Sequence, residues 1–264
     1  MAAYTLATPT AGKANTKHSR LILDQLDLSG DSRQMSSFGV EYQADDVTGY
    51  ADGVHYSTLG QPTHHLSGYQ AVFSDTVTTG SHIELSAIEE YIASYCIGVN
   101  AAPEVGSHAW LGAMEQITYN VQGGSSGVLI DVDFAKSLSN IDHSNPWGIV
   151  LGAGAELTGD TDLGSCDNII DSDNGLIAHL HVVATDGDAW TFDIESSDDN
   201  DDAAPGFVSI GQFLNVTGVL GSERLVVTAA GSAVLRYLRL AAVRTAGVGG
   251  ITVWVTVARG LPIS

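Results

Sequence analysis

"LIAHLHVVATDGDAWTFDIESS" (Leu176–Ser197) decides the fold class, because it holds two runs of alternating character around an Asp/Gly turn. In the first run Leu176, Ala178, Leu180 and Val182 alternate with Ile177, His179, His181 and Val183. In the second, Trp190, Phe192 and Ile194 alternate with polar partners. A period of two places such residues on opposite faces of an extended chain, so both runs read as strands. Working outward, "FVSIGQFL", "ERLVVTA", "VLRYLRLAAV" and "GITVWVTVA" repeat the texture downstream. Short strands at intervals of 8–15 residues, separated by Gly, Asp and Asn, predict a β-sandwich over residues 141–264.

The preceding half is also strand-rich. "SSFGVEYQA" sets Phe38, Val40 and Tyr42 on one face, and "HLSGYQAVFSD" does the same with Tyr69, Ala71 and Phe73. The stretch "DDVTGYADGVHYSTLGQPTH" between them is rich in Gly, Asp and Thr and reads as a long hairpin loop. One helix is expected over about residues 81–96. Ser81 and Glu84 form an S-x-x-E capping box, and Leu85, Ile88, Ile92 and Tyr95 make one apolar stripe before Gly98. "AWLGAMEQITYNV" and "GVLIDVDFA" then read as a strand pair joined by "QGGSSG". Residues 1–20 are small and polar and read as a flexible arm. "SLSNIDHSNPWG" reads as the boundary between a domain of residues 21–140 and the sandwich.

Composition narrows the function classes. The chain has 264 residues, 44% of them hydrophobic, and a net charge of −21, so it can build a core and repels nucleic acid phosphate. Abundant Asp and scarce Lys suit solubility in high salt, a halophilic expectation. No apolar leader or bilayer-spanning run is visible; "GVGGITVWVTVARG" is too short and Gly-rich. Cys96 and Cys166 lie far apart and match neither a disulfide framework nor a zinc pattern.

No G-x-S-x-G, H-E-x-x-H, P-loop or dinucleotide fingerprint occurs, so no catalytic residue, metal ligand or cofactor is assigned and no enzyme is expected. His179 and His181 share a strand face and could hold zinc with His143 or Asp167. The favoured reading is a polar outer face of an antiparallel sheet. His64 and His65 point to opposite faces. "SSDDNDDAAPG" (Ser196–Gly206) has calcium-loving oxygens but no EF-hand register. Asp, Asn and Gly favour turns, so it reads as a solvated tip between the strands Trp190–Glu195 and Phe207–Leu214. "NVT" at Asn215–Thr217 matches a glycosylation motif too common to weigh. Charge is segregated: residues 142–202 hold fifteen acids and no Lys or Arg, while residues 203–264 hold five arginines and the single acid Glu223. Arg236, Arg239 and Arg244 therefore either pair with the acidic loops or meet a neighbouring subunit.

Leu23–Asp75 resembles the start of the major tail tube proteins of long-tailed, siphovirus-like viruses. The likeness is carried by Asp27-Leu28-Ser29, by Phe38 to Asp46, by the Gly/Thr-rich Val47–Gly60, and by Leu66-Ser67-Gly68. It extends through the helix and "GAMEQITYNVQGGSSGVLIDVDFA", covering about residues 20–137. "VTGYADG" and "YSTLGQ" only approximate the family's "T-T-F-G" run. The second half is similar to a sandwich module appended to, or duplicated within, some tail proteins.

The resemblance implies a mainly β protein with one helix: a tail-tube-like β-barrel or sandwich domain followed by a second β-sandwich. It implies a virion protein made in the host cytoplasm. Its homo-oligomeric rings, hexameric or trimeric and pseudo-hexameric, would stack with other tail proteins into a conduit. Double-stranded DNA would pass through without specific binding, and no membrane would be involved. An acidic lumen would let DNA slide, and Glu41, Asp45, Asp131 and Asp133 are the candidate lumen acids. Asp46, Tyr50, Asp52 and Tyr56 belong to the candidate inter-ring loop, and Arg236, Arg239 and Arg244 are the candidate intersubunit arginines. The rival readings are a capsid decoration protein and a cell-surface or glycan-binding sandwich.

Overall fold

A computed structural model of the chain describes residues 18–46, 57–76, 80–87, 89–99, 101–124, 127–136, 147–168, 171–200, 206–214, 216–227 and 233–259. It is mainly β, with one short helix and two antiparallel sheets. The compact units are assembled from separated stretches rather than consecutive halves. One comprises residues 1–30, 92–111 and 147–264; the other comprises 31–91 and 112–146. Residues 137–146 of the stretch expected as a boundary lie outside the described residues, and the second unit gives way to the first at Trp147, within that stretch.

In the first unit, β11 (Leu176–Thr185) lies between β15 (Gly221–Val227) and β17 (Ile251–Arg259). β17 continues to β9 (Trp147–Leu157), and β9 to the first residues of β7 (His108–Gly124). A five-stranded sheet of β10 (Thr161–Asp167), β16 (Tyr237–Ala246), β12 (Ala189–Ser197), β13 (Val208–Gln212) and β14 (Val216–Thr217) covers one face of this layer. The period-two residues interlock as their spacing predicts: Leu176, Ala178, Leu180 and Val182 meet Trp190, Phe192 and Ile194 in one core. β12 and β13 pair antiparallel, so the acidic stretch opens where the sequence places a strand-to-strand tip. Asp198 and Asp199 are exposed there; residues 201–205 lie outside the described residues.

The other face of β11, β17 and β9 is covered too. β1 (Arg20–Leu23) and β2 (Leu26–Asp27) form a hairpin, and β1 pairs with β6 (Glu90–Cys96). Ile22, Cys96, Ala109, Leu111, Val150, Trp254 and Ala258 pack together beneath them. Burial on both faces explains why β11 and β17 are apolar almost throughout. Gly148 of β9 passes against β17, and a Cβ there would lie 1.7 Å from the Val257 carbonyl oxygen.

In the second unit, β5 (Ser57–Val72) pairs with β4 (Ser37–Asp46), with β3 (Ser32–Gln34) and with β8 (Gly127–Lys136), and β8 pairs with the remainder of β7. The described residues of the long loop expected over Asp45–His64 are strand: β4 and β5 stay paired out to Asp46 and Ser57. Only residues 47–56, which include Tyr50, Asp52 and Tyr56, lie outside the described residues.

The helix differs most from expectation. α1 is Ser81–Leu85, and Glu90–Cys96 is strand β6. The apolar stripe is satisfied by two elements, because Tyr91, Ala93 and Tyr95 also obey a period of two and are rich in strand-favouring side chains. The capping box is not used either. Gly80 holds the cap position, and the Ser81 hydroxyl donates to the Val72 carbonyl at 2.6 Å. Tyr91 donates to the Glu84 and Ala87 carbonyls at 2.9 and 3.1 Å, and Gln116 Nε2 donates to that of Leu85 at 2.8 Å, so side chains satisfy the short helix's end.

Candidate functional site

The register of β4, β5, β8 and β7 sorts the second unit's sheet into two faces. Leu66, Tyr69, Ala71, Ile130, Val132, Phe134 and Gln116 are buried on one. The other carries Glu41 of β4, Gln70 of β5, Asp131 and Asp133 of β8, and Glu115, Thr118, Asn120 and Gln122 of β7. Gln70, Asp131 and Asn120 form one cross-strand row. Three of the four lumen candidates therefore share a face. Asp45 pairs with Thr58 beyond a register shift, and its side chain, like that of Asp46, lies outside the described residues.

The acids on this face are not equivalent. Asp133 is built into the sheet: Oδ1 accepts the Gly68 N–H at 2.7 Å and Oδ2 accepts the Thr118 hydroxyl at 3.3 Å, while the Asp133 N–H donates to Thr118 Oγ1 at 2.9 Å. Gly68 needs this partner because it stands at φ 61° in a bulge of β5, where its N–H leaves the ladder. Asp131 is held more lightly, by Gln122 Nε2 at 3.2 Å. Glu41 and Glu115 are exposed. Glu115, Asn120 and Gln122 were not singled out from sequence; alternation along "MEQITYNVQ" holds the signal, but only the bulge at Gln116–Thr118 fixes which face they take.

The three candidate arginines are engaged within the first unit. Arg236 holds Asp167 in a two-bond fork at 2.9 and 2.7 Å, which raises the pKa of its guanidinium. Arg239 donates to Glu195 at 2.5 Å, lies 3.4 Å from Asp162, and covers the Phe207 ring at 4.3 Å. Arg244 Nη1 donates to the Gly249 carbonyl at 3.1 Å and stands 4.0 Å from Asp188. These are the pairings with acidic segments that charge segregation offered as one alternative.

His179 and His181 correct the expectation of a solvated polar face, because both are buried beneath β1, β2 and β6. Ser94 Oγ lies 2.8 Å from His181 Nε2, the separation of a nucleophile and its base. Its surroundings differ from a reactive pair. Ser94 and His181 are 0% exposed, and His181 Nδ1 bonds the main-chain carbonyl of Asp24 at 2.7 Å rather than a carboxylate. Among the described residues no three His, Cys, Asp or Glu side chains gather as a metal site.

A cleft of about 480 Å³ in the first unit is lined by Glu104, Ser107, His108, Trp147, Cys166 and Asp167 among others. Its Asp167 is the carboxylate held by Arg236. Burial and the nearby Asp167 charge raise the pKa of Cys166, so the thiol is no ready nucleophile. Among the described residues no helix is long and apolar enough to cross a membrane. No protein-family model matches the chain, and no curated protein matches it.

Proposed function

We propose that the protein is a structural virion component: a tail tube subunit that assembles into stacked rings around a conduit for genome DNA. The reading rests on the resemblance of Leu23–Asp75 to tail tube proteins. The observation that carries it furthest is the polar face of the β4–β5–β8–β7 sheet. Glu41, Glu115, Asp131, Asn120 and Gln122 meet there, and none of the paired positions named on that face is Lys or Arg. Such a surface suits a lumen wall. It repels phosphate, and its named positions offer no cation to hold the backbone, so DNA slides. Ring formation would join sheet edges between copies, which removes the aggregation hazard of exposed strands. The partners on this reading are further copies of the chain and other tail proteins, and the location is the virion tail.

Negative-stain microscopy of purified protein tests this reading. Rings or short tubes with a central channel are expected. Trimers or monomers that bind emptied heads would instead establish a decoration protein, and a monomer retained on a glycan array would establish a surface module.

A further inference from the structure

We infer that the hairpin of β1 and β2, together with β6, is fastened to β11 and β17 by a proton-sensitive latch, in which a proton on His181 reverses the hydrogen-bond chain through Ser94, leaves a charge in a dry interface and loosens this cover layer. Every hydrogen in the network can be assigned. The Asp24 carbonyl can only accept, so His181 Nδ1 carries a hydrogen and donates across 2.7 Å. In the neutral ring Nε2 is then an acceptor, and it takes the Ser94 hydroxyl hydrogen at 2.8 Å. Ser94 Oγ in turn accepts from Thr256 Oγ1 at 2.8 Å. Ser94 and Asp24 belong to the cover, and His181 and Thr256 to the layer beneath. Ser94, His181 and Thr256 are each 0% exposed.

The hairpin turn completes the fastening. Asp24 stands at φ 48°, the only non-glycine residue in the left-handed region among those described. That conformation aims its carbonyl at His181 while its carboxylate Oδ1 accepts the Ile92 N–H at 2.9 Å and the Ser222 hydroxyl at 2.7 Å. The ring therefore receives the carbonyl and not the carboxylate oxygen that holds these two donors.

A proton on Nε2 makes it a donor facing an oxygen that was its own donor. Ser94 Oγ must then accept, its own hydrogen turns to Thr256 Oγ1, the Thr256 hydroxyl loses that acceptor, and an imidazolium is left in a dry interface. The other ionisable groups on this side, among the described residues, are His179 on β11, Arg224 on β15 opposite His179, Asp24 and Asp27 on the hairpin, Arg20 on β1 opposite Cys96, and Cys96 on β6. β17 contributes Trp254 and Thr256, which do not titrate. Burial raises the pKa of the Cys96 thiol further, so it stays uncharged. His179 Nδ1 donates toward the Ala93 carbonyl at 3.2 Å and also lies 3.4 Å from Ser94 Oγ, so its ring borders the same network.

Burial holds the closed-state His181 pKa at about 4, against an ordinary value near 6.5 once the cover opens. The open form thus takes up the proton first as pH falls. The latch is fully closed above about pH 6.5, and its advantage is lost between there and about 4, by roughly tenfold per pH unit.

Hydrogen exchange of the full chain, read by mass spectrometry on peptides covering Arg20–Asp27 and Ile92–Cys96, tests this. After correction for intrinsic rates, opening should rise roughly tenfold per unit below about pH 6.5 and be flat above it. His181→Gln, whose amide supplies the same donor and acceptor, should be flat throughout, while His179→Gln should keep the slope. A flat wild-type profile, or a slope that survives in His181→Gln, overturns the latch. Should His181→Gln not fold, nitrogen NMR of the wild-type imidazole decides. A neutral Nδ1–H tautomer persisting toward pH 4 supports the latch, and titration near 6.5 in the folded protein overturns it.

Discussion

Asp133 and Asp131 sit two positions apart on one strand, yet the structure gives them different duties. Asp133 is the acceptor for the Gly68 N–H, which the bulge has removed from the ladder. Asp133→Ala should cost about 1–3 kcal/mol in urea unfolding, the penalty for a stranded donor. Asp131→Ala should stay within about 0.5 kcal/mol, because its one described partner, Gln122, is exposed. Asp24 is the corresponding residue of the first unit. Asp24→Ala removes the acceptor of two hydrogen bonds and puts a Cβ residue without local hydrogen-bonding help at positive φ, a loss of about 2–4 kcal/mol by the same measurement. Asp24→Asn should lose about half as much, because Asn tolerates the left-handed region and keeps an acceptor oxygen. None of this was legible from sequence. Asp24 carries no motif, and His181 announces only that it shares a face with His179. Which face is buried depends on Ser94, 87 positions away along the chain.

Elements were legible where one physical signal dominates. β11 and β12 read directly, because Trp190, Phe192 and Ile194 alternate against polar neighbours and all three are buried. "WGIVLGAGAEL" did not announce β9, since its glycines dilute the pattern and both its faces are packed. Those glycines are required by close approach. Gly148→Ala would drive a Cβ into the Val257 carbonyl and should cost about 1–3 kcal/mol, with exchange protection lost first along β9 and β17. The helix was overextended because spacings of three and four also fit a turn of helix followed by a strand. Ser81→Ala tests the corrected element. It should lose about 1 kcal/mol through the Val72 carbonyl bond, although Ser81 is not the cap. The candidate lumen face was half legible: Glu41, Asp131 and Asp133 follow from alternation, whereas Glu115, Asn120 and Gln122 needed the bulge that sets the β7–β8 register.

At the scale of the molecule, charge is the governing quantity. A net charge of −21 repels itself at low ionic strength, although Arg236, Arg239 and Arg244 neutralise acids locally. The thermal midpoint should therefore rise from low to molar salt, as calorimetry would register; a midpoint indifferent to salt removes the halophilic expectation. On the proposed reading, the same charge suits the polar face, whose named paired positions hold no Lys or Arg, to a wall along which DNA would move. The central claim is assembly, and direct imaging of the purified protein tests it best. Negative-stain micrographs should show rings or stacked tubes with an open channel. A uniform field of monomers at high concentration and high salt would contradict the account.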